Sequence, residues 1–100
     1  MTKKFLNQEK VFQFVSKIPK GEVSTYKKVA WSTGVGSPRV VGNILHQNLD
    51  PIKVPCHRIV HSDGSLAETF AFGGLSGQRK KLEAEGVLFK GKKVNASFLR

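Results

Sequence analysis

The chain has 100 residues, enough for one domain with a modest core, and its single cysteine excludes an internal disulfide. Lys and Arg number 17 against 7 Asp and Glu, a formal net charge of +10 that favours a polyanionic partner, nucleic acid above all. No apolar run is long enough to cross a membrane, and no segment pairs a strong apolar face with a dense basic one, so a membrane partner is not expected. No signal peptide, linker, repeat or low-complexity segment is visible, so one domain over residues 1–100 is expected, monomeric, in the cytoplasm (nucleoid) or the nucleus.

Val11, Phe14, Val15 and Ile18 recur at helical spacing and predict an amphipathic helix from Phe5 to Ile18, ended by Pro19-Lys20-Gly21. Ser24 or Thr25 can cap a second helix, Tyr26 to about Thr33, with Val29, Ala30 and Trp31 as its apolar members. Gly34-Val35-Gly36 is a glycine turn. Ser37 then caps, and Pro38 opens, a third helix through Gln47. Val40, Val41, Ile44 and Leu45 give it an apolar face, while Arg39, Asn43 and His46 share another. Two helices across a short glycine turn, with polar residues opening the second, make the helix-turn-helix pattern. Ser37, Arg39 and Asn43 are then candidates to face DNA, with Arg39 aimed into a groove.

Asn48-Leu49-Asp50-Pro51 is turn chemistry. Ile52-Lys53-Val54 and Ile59-Val60 read as extended segments on either side of Pro55-Cys56-His57-Arg58, together a small hairpin around the cysteine. Phe70-Ala71-Phe72-Gly73-Gly74 reads as a loop able to pass close to a ligand. A helix over Gln78–Gly86 follows, with Gly86 as its stop and Leu75 and Leu82 as core contacts. Val87-Leu88-Phe89 is a short strand and Lys90-Gly91-Lys92-Lys93 a basic turn; Val94 to Leu99 is a last strand or an ordered tail. The expected fold is mainly α, a winged helix-turn-helix-like domain with a short β-hairpin near the cysteine.

Chemistry centres on Cys56. An isolated cysteine is usually a small buried hydrophobe. Here Pro55 can open a turn of helix whose backbone N–H groups point at the thiol, and His57 and Arg58 add donors and charge, which is what a thiolate needs. Cys56, His57 and His61 lie close in sequence, but one cysteine without a second ligand cluster does not make a zinc site, so neither metal nor cofactor is expected. A thiol nucleophile needs a base and a group to orient it. His57 is the adjacent base and Glu85 the most interesting later carboxylate, although spacing does not show that they meet.

Pro55-Cys56-His57-Arg58-Ile59-Val60 resembles the active-site motif of the O6-alkylguanine-DNA alkyltransferases, the methylated-DNA–protein-cysteine methyltransferases. Gly21-Glu22-Val23-Ser24-Thr25-Tyr26 resembles the family's lead-in to its helix-turn-helix, and Arg39-Val40-Val41-Gly42 the start of its recognition helix. Asn48 stands before Cys56 where the family has a hinge asparagine; Gly73-Gly74-Leu75 resembles its binding-loop glycines and Glu85-Gly86 its glutamate-glycine pair. The resemblance implies duplex DNA containing O6-alkylguanine as partner and Cys56 as the once-only acceptor of the alkyl group. It implies that His57, through a water, takes the thiol proton, held by Glu85, and that Asn48 braces the turn. Arg39 would fill the gap left by the flipped guanine, and Tyr26 would press on the adjacent phosphate and donate to the base. Carbonyls near Cys56 and Ile59 and the N–H of Phe72, beside Gly73, would read the guanine edge. Arg58 is assigned with the DNA-binding residues.

The chain departs from that pattern in three places. It is expected to carry only the cysteine-bearing part, without the N-terminal domain of many members. The segment from Cys56 to Gly73 is about two residues longer than is common in the family, and Ala71-Phe72 replaces the usual tyrosine-serine before the glycines. Size and missing domain also resemble the alkyltransferase-like proteins, which flip alkylated guanine without transferring the group and typically lack the cysteine. Three readings follow in order: a single-turnover alkyl transferase, a lesion-binding module, and a helix-turn-helix regulator that leaves the cysteine motif unexplained.

Overall fold

The computed structural model describes residues 3–68 and 72–99. Four helices are the main elements of the described chain: α1 (Lys3–Ser16), α2 (Tyr26–Thr33), α3 (Pro38–His46) and α4 (Gly74–Ala84). Two short strand pairs lie among them, β1 (Ser24–Thr25) with β2 (Ile59–Val60) and β3 (Phe89–Lys90) with β4 (Lys93–Val94). Single turns of 3-10 helix span Cys56–Arg58 and Ala96–Phe98. The mainly helical class and the helix-turn-helix are as the sequence pattern predicts.

Local chemistry sets the helix ends. Thr25 Oγ1 accepts from the Lys28 N–H at 3.0 Å and caps α2, which stops at Gly34 in the left-handed conformation, φ 73°. Ser37 Oγ accepts from the Val40 N–H at 3.3 Å, and Pro38 occupies the first turn of α3. Val11 and Val15 of α1, Val29 and Ala30 of α2, and Val41, Ile44 and Leu45 of α3 then meet in one core with Val54, Cys56 and Ile59. Each such burial stabilises by about 1.5–3 kcal/mol for a Val- or Leu-sized side chain, so this cluster holds the three helices together. Trp31 does not join it and is 84 % exposed. The buried line on α2 runs Val29-Ala30, and the next residue along the helix is turned away from it.

A second core joins Val23, Val60, Leu66, Leu82, Val87 and Val94. The β1–β2 pair divides the two cores: Ile59 points into the first and Val60 into the second, as successive side chains on a strand must. Leu75, expected in the core, is 48 % exposed. It belongs to the first turn of α4, which starts earlier than the sequence suggests, and Gln78 and Leu82 supply its buried residues.

The expected hairpin around the cysteine does not form. Asp50 winds the preceding segment into a turn: its carboxylate accepts from the Ile52 and Lys53 N–H groups at 3.3 and 3.1 Å, and its carbonyl from Val54 N–H at 2.9 Å. No extended edge is left beside β2. It pairs instead in parallel with β1, Ser24 opposite Ile59 and Thr25 opposite Val60. The antiparallel hairpin is β3–β4, on the basic turn.

Candidate active site

Pro55, with φ −75° and ψ 73°, forms an inverse γ-turn in which the Cys56 N–H donates to the Val54 carbonyl at 2.7 Å. Asn48 is buried beneath it. Its Nδ2 donates to the same carbonyl at 2.7 Å, and its Oδ1 accepts from the Asp50 N–H at 3.0 Å. One side chain thereby fixes the end of α3 to the turn that presents the cysteine. Cys56 is 5 % exposed. Burial pushes its thiol up, and hydrogen bonding with Asn48 and the charge of Lys81 only partly oppose this. In a three-residue turn the backbone offers little of the helix-end field that the sequence suggests. The resting group is therefore a thiol that needs a base.

The candidate base, His57, is held by the end of α4. α4 ends in a Schellman motif, with the Val87 N–H donating to the Leu82 carbonyl at 3.1 Å and the Gly86 N–H to that of Glu83 at 3.0 Å. Gly86 has φ 88°, which only glycine adopts cheaply, and the motif fixes Glu85 at the helix C-cap. Glu85 Oε2 lies 2.9 Å from His57 Nε2, and Arg58 forks onto the same carboxylate through Nε at 2.9 Å and Nη2 at 2.6 Å. Burial would raise the Glu85 pKa, but the hydrogen bonds from Arg58 and His57 and their charges prevail and hold it at about 2. Burial lowers the His57 pKa against the pull of Glu85, so the imidazole rests neutral. With Nε2–H donated to an ionised Glu85, the lone pair falls on Nδ1. That atom is buried and has no hydrogen-bond partner among the described residues.

Arg58 does not face outward to DNA as expected. Its side chain is 15 % exposed, and its third contact runs from Nη1 to the Ile18 carbonyl at 2.7 Å. It clamps Glu85 to the end of the first helical layer. Ile59 is likewise fully buried, and its carbonyl accepts from Gln78 Nε2 at 2.9 Å rather than standing open to a base.

Sequence reading missed Gln78. It is fully buried in α4, accepts from the Ala67 N–H at 2.8 Å, and donates to the His57 carbonyl at 3.1 Å as well as to Ile59. No motif marks it; a polar residue in line with Leu82 on α4 was the available signal. Gln78→Leu leaves those three backbone groups unsatisfied and is expected to destabilise the fold by about 3 kcal/mol. Urea unfolding with an unchanged m-value checks this.

An open cleft of about 420 Å³ lies over the cysteine, lined by Cys56, Tyr26, Arg39, Gly42, His61 and Glu68 among others. Tyr26 is half-buried at the start of α2; burial, with the nearby Cys56 adding to it, raises its phenol to about 12, so it stays a proton donor. Gly42 faces it; a Cβ there would touch the Tyr26 ring at 3.8 Å. His61, weighed in the sequence only for metal, packs in a tilted contact on Tyr26 with ring centroids 5.2 Å apart. Arg39 and Asn43 are exposed on α3, Arg39 at the cleft, while Ser37 serves first as the helix cap. Gly73 begins α4 with φ 115° against Gly77, and Phe72 packs partly on the first core; neither is among the residues lining the cleft. Phe70 and Ala71 lie outside the described residues. No cluster among the described residues has the make-up of a metal site.

The family pattern described as "6-O-methylguanine DNA methyltransferase, DNA binding domain" matches residues 6–87. A methylated-DNA--protein-cysteine methyltransferase of Methanothermobacter thermautotrophicus is 40 % identical over 84 residues, 84 % of this chain and 46 % of the relative. The chain spans about half the length of the curated relatives it matches. Among solved structures, S. pombe Atl1 in complex with damaged DNA containing O6-carboxymethylguanine superposes with a TM-score of 0.81 at 28 % identity, over 100 % of this chain and 98 % of that one. The Mycobacterium tuberculosis OGT in complex with DNA gives a TM-score of 0.72 at 34 % identity, over 79 % of this chain and 48 % of that one. A buried Pro-Cys-His-Arg turn braced by asparagine, a histidine held by a capping glutamate and a helix-turn-helix beside them thus occur where the family pattern matches, and the chain belongs to the family of the 6-O-methylguanine DNA methyltransferase DNA-binding domain.

Proposed function

We propose that this protein repairs duplex DNA by taking an alkyl group from the O6 position of guanine onto Cys56, once per molecule. The observation that supports the reading is a cleft-lining thiol followed in the same turn by His57, whose Nε2 is fixed on Glu85 and whose Nδ1 has no hydrogen-bond partner among the described residues. The thiol sulfur attacks the alkyl carbon; the sulfur–carbon bond forms as the carbon–O6 bond breaks. The thiol proton passes by way of His57 and ends on the guanine, so no co-reactant is needed. Tyr26, protonated at neutral pH, donates to the departing base. A base in a duplex is out of reach of a thiol, so the guanine must flip into the cleft. Arg39, exposed at the N-terminal turn of α3, fills the gap it leaves, and Ser37 at the cap and Asn43 further along the same helix face the backbone. Incubation with O6-methylguanine duplex followed by intact-protein mass spectrometry tests the reading: a methyl adduct on Cys56 is expected.

A second reading, recognition of the lesion without transfer, is favoured by the match to Atl1 over the whole chain and by the raised thiol. It predicts tight binding of the lesion duplex with no adduct. Under either reading Arg39→Ala weakens lesion binding by about 10-fold or more, since the stack is left with a gap whose opening costs a few kcal/mol. Anisotropy titration of a lesion duplex checks this; an unchanged Kd sinks the wedge assignment.

A further inference from the structure

The β3–β4 hairpin lies beyond residues 6–87, where the family pattern matches, and nothing in the cleft uses it. Its two faces differ. Val94 is buried in the second core, and Phe89 packs there beneath Arg79, whose guanidinium carbon is 4.4 Å from the ring centroid. Arg79 Nη1 also donates to the Gly91 carbonyl at 3.0 Å, so α4 grips the hairpin at its tip. The opposite face carries Lys90 and Lys93, which stand directly across from each other, with Lys92 in the turn between them. All three are exposed. Like charges facing one another across a strand pair destabilise it. The described residues offer one carboxylate in return: Asp63 Oδ2, 3.5 Å from Lys93 Nζ.

The hairpin is also fixed in place. Val94 N–H donates to the Gly64 carbonyl at 2.9 Å, and Ser65 bridges Lys93 in antiparallel fashion. Gly64 is pressed so close that a Cβ there would meet the Val94 carbonyl oxygen at 2.9 Å. This turn follows directly from His61, which packs on Tyr26 at the cleft. The His61–Ser65 turn therefore links the cleft, at His61, to a pair of strands that carries exposed ammonium groups.

We infer that the β3–β4 hairpin is a second anchor for the DNA backbone, with Lys90 and Lys92 taking phosphates flanking the site where the guanine is flipped. The inference rests on the duplex-binding reading above. Ammonium groups on a rigid hairpin hold phosphate without reading sequence, as binding to damage at any site requires. Lys93, shared with Asp63, contributes less.

The test is the salt dependence of binding to a short lesion-free duplex, read by anisotropy. Each phosphate contact adds about 0.9 to the slope of log K against log salt, so Lys90→Gln with Lys92→Gln lowers the slope by about 1.8. A control pair on α1 and its end, Lys10→Gln with Lys17→Gln, removes the same charge from residues that line no part of the cleft or of the hairpin. It is expected to leave the slope nearly unchanged. Lys90→Arg with Lys92→Arg keeps the charge and should keep the slope, which separates lost contacts from a disturbed hairpin. A wild-type slope in the Gln pair, or an equal drop in the α1 control, overturns the anchor while leaving duplex binding intact. Failure of the wild-type protein to bind any duplex overturns the reading beneath it.

Discussion

Cys56→Ala is expected to abolish the methyl adduct entirely while leaving affinity for an O6-methylguanine duplex within a few-fold of wild type. The substitution removes one sulfur from a residue that is already almost closed to solvent, so it changes the cleft by a single atom. The groups assigned to flipping and holding the base, Tyr26 and Arg39, stand on α2 and α3, which their caps and their packing on α1 hold in place. Removal of one buried heavy atom costs about 1 kcal/mol of stability, too little to unfold the domain. Mass spectrometry and anisotropy on the same samples therefore divide the alternatives. An adduct on wild type that vanishes in the variant supports transfer at Cys56. Binding without an adduct on either protein supports the lesion-binding reading. An adduct that persists in the variant places the acceptor elsewhere and sinks the assignment.

How far the sequence revealed this arrangement depends on how local each device is. The helix caps at Thr25 and Ser37 and the glycine stops at Gly34 and Gly86 are settled within a few residues of chain, and they stand where the pattern places them. The apolar line through Val11 and Val15 was legible for the same reason. The meeting of His57 with Glu85 was only an inference from resemblance, because the carboxylate arrives on a different element and reaches the imidazole only when α4 packs on the cysteine turn. Two-residue strands carry no readable period, so the parallel pairing of β1 with β2 was invisible and a local hairpin looked as good. Arg58 in a basic chain reads as a cation for DNA, but Glu85, brought beside it only by the fold, pairs with it. Gln78 was silent because a lone glutamine on a helix has no sequence signature until the carbonyls it serves are known.

Glu85→Gln should then be the most revealing single change in the site, since it acts on stability and on proton transfer by separable routes. Glutamine keeps the shape but removes the charge that answers Arg58 and that accepts from the neutral His57. A largely buried guanidinium left without its carboxylate costs about 3 kcal/mol. The acid limb of the stability profile should change with it. In the wild type the Glu85 pKa is about 2 when folded, below its ordinary value, because hydrogen bonds from Arg58 and His57 outweigh burial. The unfolded chain therefore takes up the proton first, and the pair's stabilisation, complete above the ordinary carboxylate range, is lost as pH falls from about 5 towards 2. His57 acts in the same sense, since burial depresses its folded pKa and acid favours the unfolded, charged form. The Gln variant should lose the Glu85 part of that slope and be nearer to pH-independent below about pH 5. For the chemistry, an amide facing Nε2 no longer enforces the tautomer that leaves Nδ1 free to accept. Loss of a positioned base slows proton transfer by about 10²–10⁴-fold, so single-turnover adduct formation should fall by that order while lesion binding holds. A Gln variant that unfolds earlier yet alkylates at the wild-type rate would confine Glu85 to structure and leave His57 without its orienting partner.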